Sequence, residues 1–424
     1  MQSPTDSGRF PPYLARTVAP VHANLGVTRG AALYVGALIG PGILLVPSLA
    51  AEAAGPASVI AWAALLALSL PLAVTFATLG VRHPVDGGVA AYVREGFGET
   101  AATVTGICFL STIVIGAPAV SLIGGFYVAD LAGGGTPVAA GVALGMFAVV
   151  MAANAFGIRL SSTLQLGLSA ILVTVIVVAV AVALPGRATH HWTPFAPHGW
   201  AAVGTAANIL VWLVIGWEAM AQMAGEFRDP RRDLPRAVAS AFAVICVLYA
   251  GLAVATITVT GSSGSKVPLA DLLAAGFGEP GRKVTAVLAV ALTMGTMNVY
   301  IGGAAKLGVA LARGGALPAW LGHSHRRPLL ALSAMGVAVL ALLVAQLLHA
   351  DDLVRATSAS FIAVYLLALS AAVRILDGGV RALAAVALLM SVVLAIFSGP
   401  FLLYPAAAAA LTLALRGRRV AMTA

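Results

Sequence analysis

Long apolar runs separated by short polar connections make up most of the chain, and this pattern sets the expected architecture. A helix of about 20 apolar residues is long enough to cross the hydrocarbon core of a bilayer. Runs of this length predict about twelve membrane-spanning helices. They lie near 28–52, 57–81, 100–129, 137–156, 162–184, 201–224, 235–261, 283–311, 329–349, 354–374, 380–397 and 399–415. The pattern therefore predicts an all-α integral membrane protein.

Glycine and proline interrupt the first and the sixth of these runs. The stretch "GALIGPGILLVP" (36–47) has three glycines around Pro41, and Gly216 lies in the middle of the sixth run. These residue types favour a break in a helix. Discontinuous helices at equivalent places in two halves of a chain indicate the central site of a transporter. Close helix packing is the alternative reason for such glycines, and the spacing of Gly36 and Gly40 alone supports a break only weakly.

The distance between the two breaks predicts an internal repeat. They are about 180 residues apart, which matches five spans with their loops. Because five is odd, the second copy would lie upside down in the membrane, giving a five-plus-five inverted repeat with discontinuous helices 1 and 6. The expected domains are a cytoplasmic N-terminal tail at 1–27, a first repeat at 28–184, a second repeat at 199–375, two further spans at 380–416 and a cytoplasmic C-terminal tail at 417–424.

Composition and charge add a location and an orientation. Hydrophobic residues make up 60% of the chain, and the 9% that are charged leave it far outside the range of soluble domains. If the N-terminus is cytoplasmic, 19 of the 24 Lys and Arg residues fall on the inner side. This bias predicts a multi-pass protein of the cell (plasma) membrane with both termini cytoplasmic. Topology and contact with anionic lipid in the bilayer then explain the net charge of +9, and no nucleic-acid partner is expected.

Glu218 is the clear exception among the charged residues, most of which lie at span ends or in loops. A charged side chain within the membrane is costly and is therefore a functional candidate. Alternatively, a protonated Glu218 stabilises a bent helix by bonding to a free carbonyl. Cys108 and Cys246 lie in apolar runs and indicate neither a disulfide nor a metal site. The spans lack the paired carboxylates, histidine clusters and nucleophile elbow of enzymes, so neither enzymatic activity nor a cofactor is expected.

Two connections have apolar residues at helical spacing. In "RHPVDGGVAAYVREGFGE" (82–99), a turn precedes four apolar residues from Val89 to Phe97, which predicts a short interfacial helix. The segment "PLADLLAAGFG" (268–278) has the same character on the outer side. A solvated loop is the alternative for this second segment.

Four segments resemble the amino acid, polyamine and organocation (APC) transporter superfamily. They are "GALIGPGILLVP" (36–47), "HPVDGGVAAYVREGFG" (83–98), "VWLVIGWEAMAQMAGEFRDPRRDLPRA" (211–237) and "NVYIGGAAKLGVALARGGALPAWL" (298–321). Within that superfamily, "FLSTIVIGAPAVSLIGGF" (109–126) and the run that begins "GEFRDP" resemble bacterial exporters of methionine and branched-chain amino acids. The resemblance implies the APC fold, with a substrate site at the two breaks.

The resemblance also implies which groups bind the substrate. In the family, N–H groups freed at the first break hold the substrate carboxylate, and carbonyls freed at both breaks accept hydrogen bonds from its ammonium group. The substrate-binding residues carried over are Leu38, Ile39, Gly40, Pro41, Gly42, Ile43, Trp212, Ile215, Gly216 and Trp217. The family often has Ser or Thr where Pro41 stands. Because Pro41 has neither a hydroxyl nor an N–H, Gly42 and Ile43 would have to supply the donors.

The sixth run supplies the implied gate and hinge. Trp212 lies where family exchangers place an aromatic gate over the substrate, although spacing alone would favour simple packing. Glu218 matches the sixth-helix glutamate of the family and is implied to be a hinge residue, as is Gly36 in the first run. Trp217 is expected to narrow or shape the side-chain pocket. Since Glu218 is the only acidic residue nearby, a neutral, apolar substrate is favoured over arginine or a polyamine.

The coupling ion is expected to be a proton rather than sodium. The fifth run (161–184) lacks the lysine that occupies a cation position in some proton-coupled relatives. In the eighth run, Thr293, Thr296 and Asn298 could offer oxygens to a sodium ion. More often, such hydroxyls bond to carbonyls of their own helix. Although that lysine is absent, the resemblance to the family favours proton antiport.

Three functions follow from these expectations. The first is a secondary active transporter that exports neutral hydrophobic amino acids, namely methionine, leucine, isoleucine and valine, by alternating access. The second is an importer or exchanger of the same superfamily. The third, from another class, is a membrane sensor that binds amino acids without moving them, and binding without flux would identify it.

Overall fold

Helices form the regular structure of the chain. A computed structural model describes residues 25–83, 88–158, 162–184, 189–218 and 223–423. Within these ranges the β structure consists of one isolated parallel bridge between Leu25 and Phe227. The all-α prediction is therefore confirmed for the described residues. Most of the predicted N-terminal tail and residues 84–87 of the turn predicted at 84–88 lie outside the described residues.

The α-helices are named here in chain order. They are α1 (Val27–Leu38), α2 (Val46–Ala54), α3 (Ser58–Arg82), α4 (Val89–Phe97), α5 (Glu99–Leu131), α6 (Thr136–Ala155), α7 (Ser162–Ala183), α8 (Ala201–Leu210), α9 (Pro230–Thr260), α10 (Pro268–Phe277), α11 (Glu279–Arg313), α12 (Arg326–Val344), α13 (Ala350–Ile375), α14 (Gly378–Ser398) and α15 (Leu403–Thr423). Short 3-10 helices at Pro41–Leu44, Val211–Val214 and Gly399–Leu402 connect some of them.

Nine apolar helical stretches of the described chain are long enough to cross a membrane. Two of them, Val46–Arg82 and Gly378–Ala414, each join two helices through a 3-10 turn. The first and sixth predicted spans are interrupted, which leaves α1 and α8 short. The total of twelve spans and the inverted repeat stay predictions. At the other end of the chain, α15 continues through most of the predicted C-terminal tail.

Helix α5 lies at the centre of the molecule. In its apolar window 78% of the residues are buried, against 28% in the window of α7. Two glycines allow the close packing: a methyl group on Gly124 would lie 2.6 Å from the Thr293 hydroxyl of α11, and one on Gly125 would overlap the Ala139 carbonyl of α6. Small residues let membrane helices approach in this way, so α5 packs directly against α6 and α11.

The two short amphipathic segments are both helical. Val89, Tyr92 and Val93 of α4 are buried, and the guanidinium of Arg374 lies 4.9 Å above the Phe97 ring. The helix predicted within 82–99 is therefore confirmed. The segment predicted on the outer side forms α10 rather than a solvated loop, because its leucines are buried against α7, α9 and α11.

Candidate substrate site

The first run breaks between Leu38 and the 3-10 helix that begins at Pro41. Gly40 is extended there, with φ −104° and ψ −173°. Since Pro41 has no N–H, the helical hydrogen bond to the Ala37 carbonyl cannot form. The Gly40 N–H bonds to the Leu38 carbonyl at 3.0 Å instead of continuing the helix. The break therefore frees carbonyls at the end of α1, and one of them, that of Gly36, accepts a 3.4 Å hydrogen bond from the Ser169 hydroxyl of α7.

The sixth run unwinds after the 3-10 helix Val211–Val214. Ile215 is extended, and Gly216 has φ +131°, a conformation that side chains rarely adopt. The freed Gly216 N–H donates to Oε2 of Glu218 at 2.9 Å. The Tyr365 hydroxyl of α13 lies 2.7 Å from the same oxygen and 3.2 Å from the Val214 carbonyl. Glu218 thus binds the unwound backbone from one side and α13 from the other.

The two breaks contact each other. A methyl group on Gly216 would lie 2.9 Å from the Ala37 carbonyl oxygen, and one on Gly42 would lie 2.8 Å from Cδ1 of Trp212. The Tyr249 hydroxyl of α9 lies between them, 2.8 Å from the Leu213 carbonyl and 3.3 Å from the Leu38 carbonyl. Absence of a side chain at both glycines lets the unwound segments meet.

A cavity of about 460 Å³ opens beside the breaks, within the size range of small-molecule sites. Its walls come from both broken segments and from α5, α7, α11 and α13. Eleven sequence-predicted residues line it: Gly36, Leu38, Ile39, Gly40, Pro41, Gly42, Trp212, Ile215, Gly216, Glu218 and Thr296. The breaks therefore form one wall of a single cavity.

Two other predicted binding residues lie behind this lining. Ile43 is buried, and its N–H, expected to be a free donor, bonds to the Gly40 carbonyl at 3.3 Å because the segment winds into a 3-10 helix. Trp217 is fully buried against Phe242, with ring centroids 6.5 Å apart. The backbone turn at Gly216 directs the Trp217 ring away from the cavity, where it does not shape the pocket.

Two of the three candidate sodium ligands also lie outside the cavity lining. The Thr293 hydroxyl donates to the Ala289 carbonyl of its own helix at 2.8 Å, which is the alternative that its sequence left open. The Asn298 amide donates to the Ile158 carbonyl at 3.2 Å. Thr296 alone faces the cavity. Of the three side chains, the structure therefore places Thr296 at the cavity and the other two outside its lining.

Other residues of the site are not evident from the glycine and proline pattern. Phe109, Ile113 and Gly116 of α5 and Thr357 and Phe361 of α13 also line the cavity. The rings of Phe109 and Phe361 pack edge to face at 5.8 Å. Phe109, Ile113 and Gly116 lie in the segment 109–126 that resembles the exporters, whereas Thr357 and Phe361 carried no sequence signal.

Two buried tyrosines were also missed. Tyr249 and Tyr365 contact the unwound backbone, yet neither was singled out in the sequence. A tyrosine hydroxyl inside a membrane helix needs a hydrogen-bond partner. That requirement is the signal that could have pointed to both residues.

Several polar groups that line the cavity have no hydrogen-bond partner among the described residues, and the Thr357 hydroxyl is one of them. Within the described residues, the Gly42 N–H has no hydrogen-bond acceptor, and the carbonyls of Ala37 and Ile39 have no donor. Glu218 is the one ionisable carboxyl group among the described lining residues, which include no lysine or arginine. The cavity thus offers backbone groups of both polarities beside a mostly apolar wall.

Comparison with known proteins finds amino acid permeases and an amino acid exporter that are similar to this chain over most of its length. The uncharacterized amino acid permease YecA of Bacillus subtilis (strain 168) is 34% identical over 90% of this chain and 92% of its own length. The L-methionine/branched-chain amino acid exporter YjeH of Escherichia coli (strain K12) is 32% identical, over 88% of this chain and 90% of its own length. The branched-chain amino acid permease BcaP of Bacillus subtilis is 27% identical over 69% of this chain and 68% of its own length.

A family match extends over nearly the whole chain. The family model described as amino acid permease matches residues 25–419, which include both broken segments and every helix that lines the cavity. The predicted superfamily resemblance is confirmed, and with it a role in amino acid transport across a membrane. The chain belongs to the amino acid permease family.

Proposed function

We propose that the protein exports neutral hydrophobic amino acids, with methionine, leucine, isoleucine and valine as substrates. The observation that supports this most directly is the cavity between the two broken segments, which combines free backbone groups with an apolar wall. The relative from Escherichia coli is named an exporter of L-methionine and branched-chain amino acids. That name supports both the substrate class and the outward direction.

The main chain of an amino acid has one group of each charge, and the first break supplies partners for both. The free Gly42 N–H can donate to the carboxylate, while the free carbonyls of Ala37 and Ile39 can accept from the ammonium group. Buried charges need such partners in a low-dielectric site. Recognition through backbone groups leaves the choice among substrates to the wall that faces the side chain.

The lining contributed by α5 and α13 favours an apolar side chain. Phe109, Ile113 and Phe361 face the cavity there. Glu218, the one carboxyl group in the described lining, already accepts hydrogen bonds from Gly216 and Tyr365. Glu218 is thus the one carboxyl group of the described lining that could pair with a cationic side chain, and burial of an unpaired charge is costly. The lining therefore favours methionine or a branched aliphatic residue over arginine.

Alternating access would use the two broken segments as gates. Each proposed repeat, 28–184 and 199–375, contains one break, so an inverted pair would close the cavity from opposite sides. Trp212 lies against Gly42 and can act as the aromatic gate over the substrate. Glu218 would act as a hinge, because it bonds to the unwound backbone at Gly216.

We propose that the protein lies in the plasma membrane with both termini cytoplasmic. Export is driven by proton antiport in this proposal. A sodium site needs several oxygen ligands, and Thr293 and Asn298 are buried and do not line the cavity. Thr296 alone offers one cavity-facing side-chain oxygen from the predicted set. Sodium coupling therefore has little support from the candidate ligands.

A flux assay tests the proposal. Purified protein in liposomes that contain labelled methionine or leucine should release the label faster than protein-free liposomes, and an imposed proton gradient should change the rate. Binding to the purified protein without flux of any amino acid would identify a sensor instead. An exporter role predicts that cells without the gene become sensitive to methionine-containing dipeptides, whereas an importer predicts no such sensitivity.

A further inference from the structure

We propose that the indole N–H of Trp212 donates a hydrogen bond to the substrate carboxylate and replaces the backbone donor that Pro41 lacks. This inference rests on the proposed function, since it concerns the carboxylate of an amino acid in the same cavity. It specifies which atom of Trp212 binds the substrate and which group of the substrate it binds, beyond the gate and the contact that the resemblance implies.

The first break has few N–H donors left for a carboxylate. Gly40 uses its N–H on the Leu38 carbonyl at 3.0 Å, and Ile43 uses its own on the Gly40 carbonyl at 3.3 Å. Pro41 has none. Gly42 therefore provides the one free N–H of residues 40–43. A carboxylate has two oxygens that each accept hydrogen bonds, so a single neutral donor leaves it poorly compensated inside a membrane protein.

The Trp212 indole lies next to this donor. A methyl group on Gly42 would lie 3.2 Å from Nε1 of Trp212, so the Gly42 nitrogen and the indole nitrogen are at most about 6 Å apart by standard bond lengths. The side chain is only partly buried and lines the cavity. Nε1 has no hydrogen-bond acceptor among the described residues. An indole nitrogen can only donate, and one carboxylate can place an oxygen on each of the two donors.

A neutral side-chain donor is important because the described lining has no basic residue to pair with a carboxylate. The described lining contains neither lysine nor arginine. A carboxylate therefore has to be held by neutral donors, and each lost donor should cost affinity. A hydrogen bond to a charged group contributes more than one between neutral groups.

Titration of the purified full-length protein with labelled L-methionine tests the role of the N–H. Trp212→Phe keeps an aromatic ring for the gate but removes the donor, and the Kd should rise about tenfold. Trp217→Phe is the matched control, because it removes an indole N–H that lies behind the lining. Its Kd should stay within about twofold of the wild-type value, as expected for a residue without substrate contact.

A second variant separates donation from packing. Pro41→Ser supplies a backbone N–H and a hydroxyl at the break, so Pro41→Ser combined with Trp212→Phe should recover most of the lost affinity. An unchanged Kd in Trp212→Phe, or the same loss without recovery in the double variant, would overturn the inference. If the wild-type protein binds no amino acid in a panel, the proposed function itself fails. Thermal melting of each variant shows that a loss of binding is not a loss of folding.

Discussion

Gly216 combines an unusual backbone angle with a close neighbour. Its φ of +131° is unfavourable for any residue with a side chain, and a methyl group there would lie 2.9 Å from the Ala37 carbonyl. Neither property depends on the other. Glycine is therefore required where the two broken segments touch, once for the backbone angle and once for the close approach of the Ala37 carbonyl.

Gly216→Ala should destabilise the protein and block transport. The strained backbone alone costs about 1–3 kcal/mol, and the clash with α1 separates the breaks. We expect a lower melting temperature in detergent and no amino acid flux in liposomes. Gly145→Ala is the control, because a methyl group on this exposed glycine of α6 would have no neighbour within 4 Å. A Gly216→Ala protein with normal flux would show that the contact between the breaks is dispensable.

At the residue scale, the sequence located the breaks but not the direction of the side chains within them. Glycine and proline chemistry is local, so Pro41 and Gly216 could be predicted to interrupt their helices. Helical periodicity no longer applies once a segment unwinds. Trp212 and Trp217 consequently face different surroundings, one the cavity and the other the core, which only the three-dimensional backbone determines.

At the element scale, helix α9 connects the two broken segments. The Tyr249 hydroxyl lies within hydrogen-bond distance of a carbonyl from each, at Leu38 and at Leu213, while the ring packs edge to face on Trp62. A hydroxyl has one proton, so it donates to one carbonyl at a time. Sequence patterns predicted the helices themselves, but such a link between helices depends on tertiary packing and could not be predicted.

Tyr249→Phe should slow transport more than it lowers stability. Loss of one hydrogen bond costs about 1 kcal/mol, but here it frees the two segments that surround the substrate. Tyr404→Phe is a matched control. It removes a hydroxyl that donates to the Ser111 carbonyl, at a distance of 2.9 Å, and that does not contact the breaks. Both variants should melt at similarly reduced temperatures, and only Tyr249→Phe should show reduced flux of methionine. Equal flux in the two variants would contradict a linking role.

At the scale of the whole molecule, charge separates the two ends of the helices. Arg282, one of the few basic residues expected outside, pairs with Asp130 and Asp271 at 2.8 Å each. These partners come from the end of α5 and from α10, so the predicted outer face is held together by ion pairs across three helices. Basic residues expected inside are more numerous, as the positive-inside rule requires for cytoplasmic loops.

Cysteine labelling tests this orientation. Ser263 lies in the loop before α10 and Ser324 in the loop before α12, and both are exposed. In a background without Cys108 and Cys246, a membrane-impermeant maleimide added to intact cells should label Ser263→Cys and leave Ser324→Cys unmodified. Permeabilised cells should show both labelled, which controls for reactivity because the two substitutions are chemically the same. Labelling of Ser324→Cys alone in intact cells would mean that the chain crosses the membrane in the opposite direction, and the proposed outer ion pairs would then face the cytoplasm.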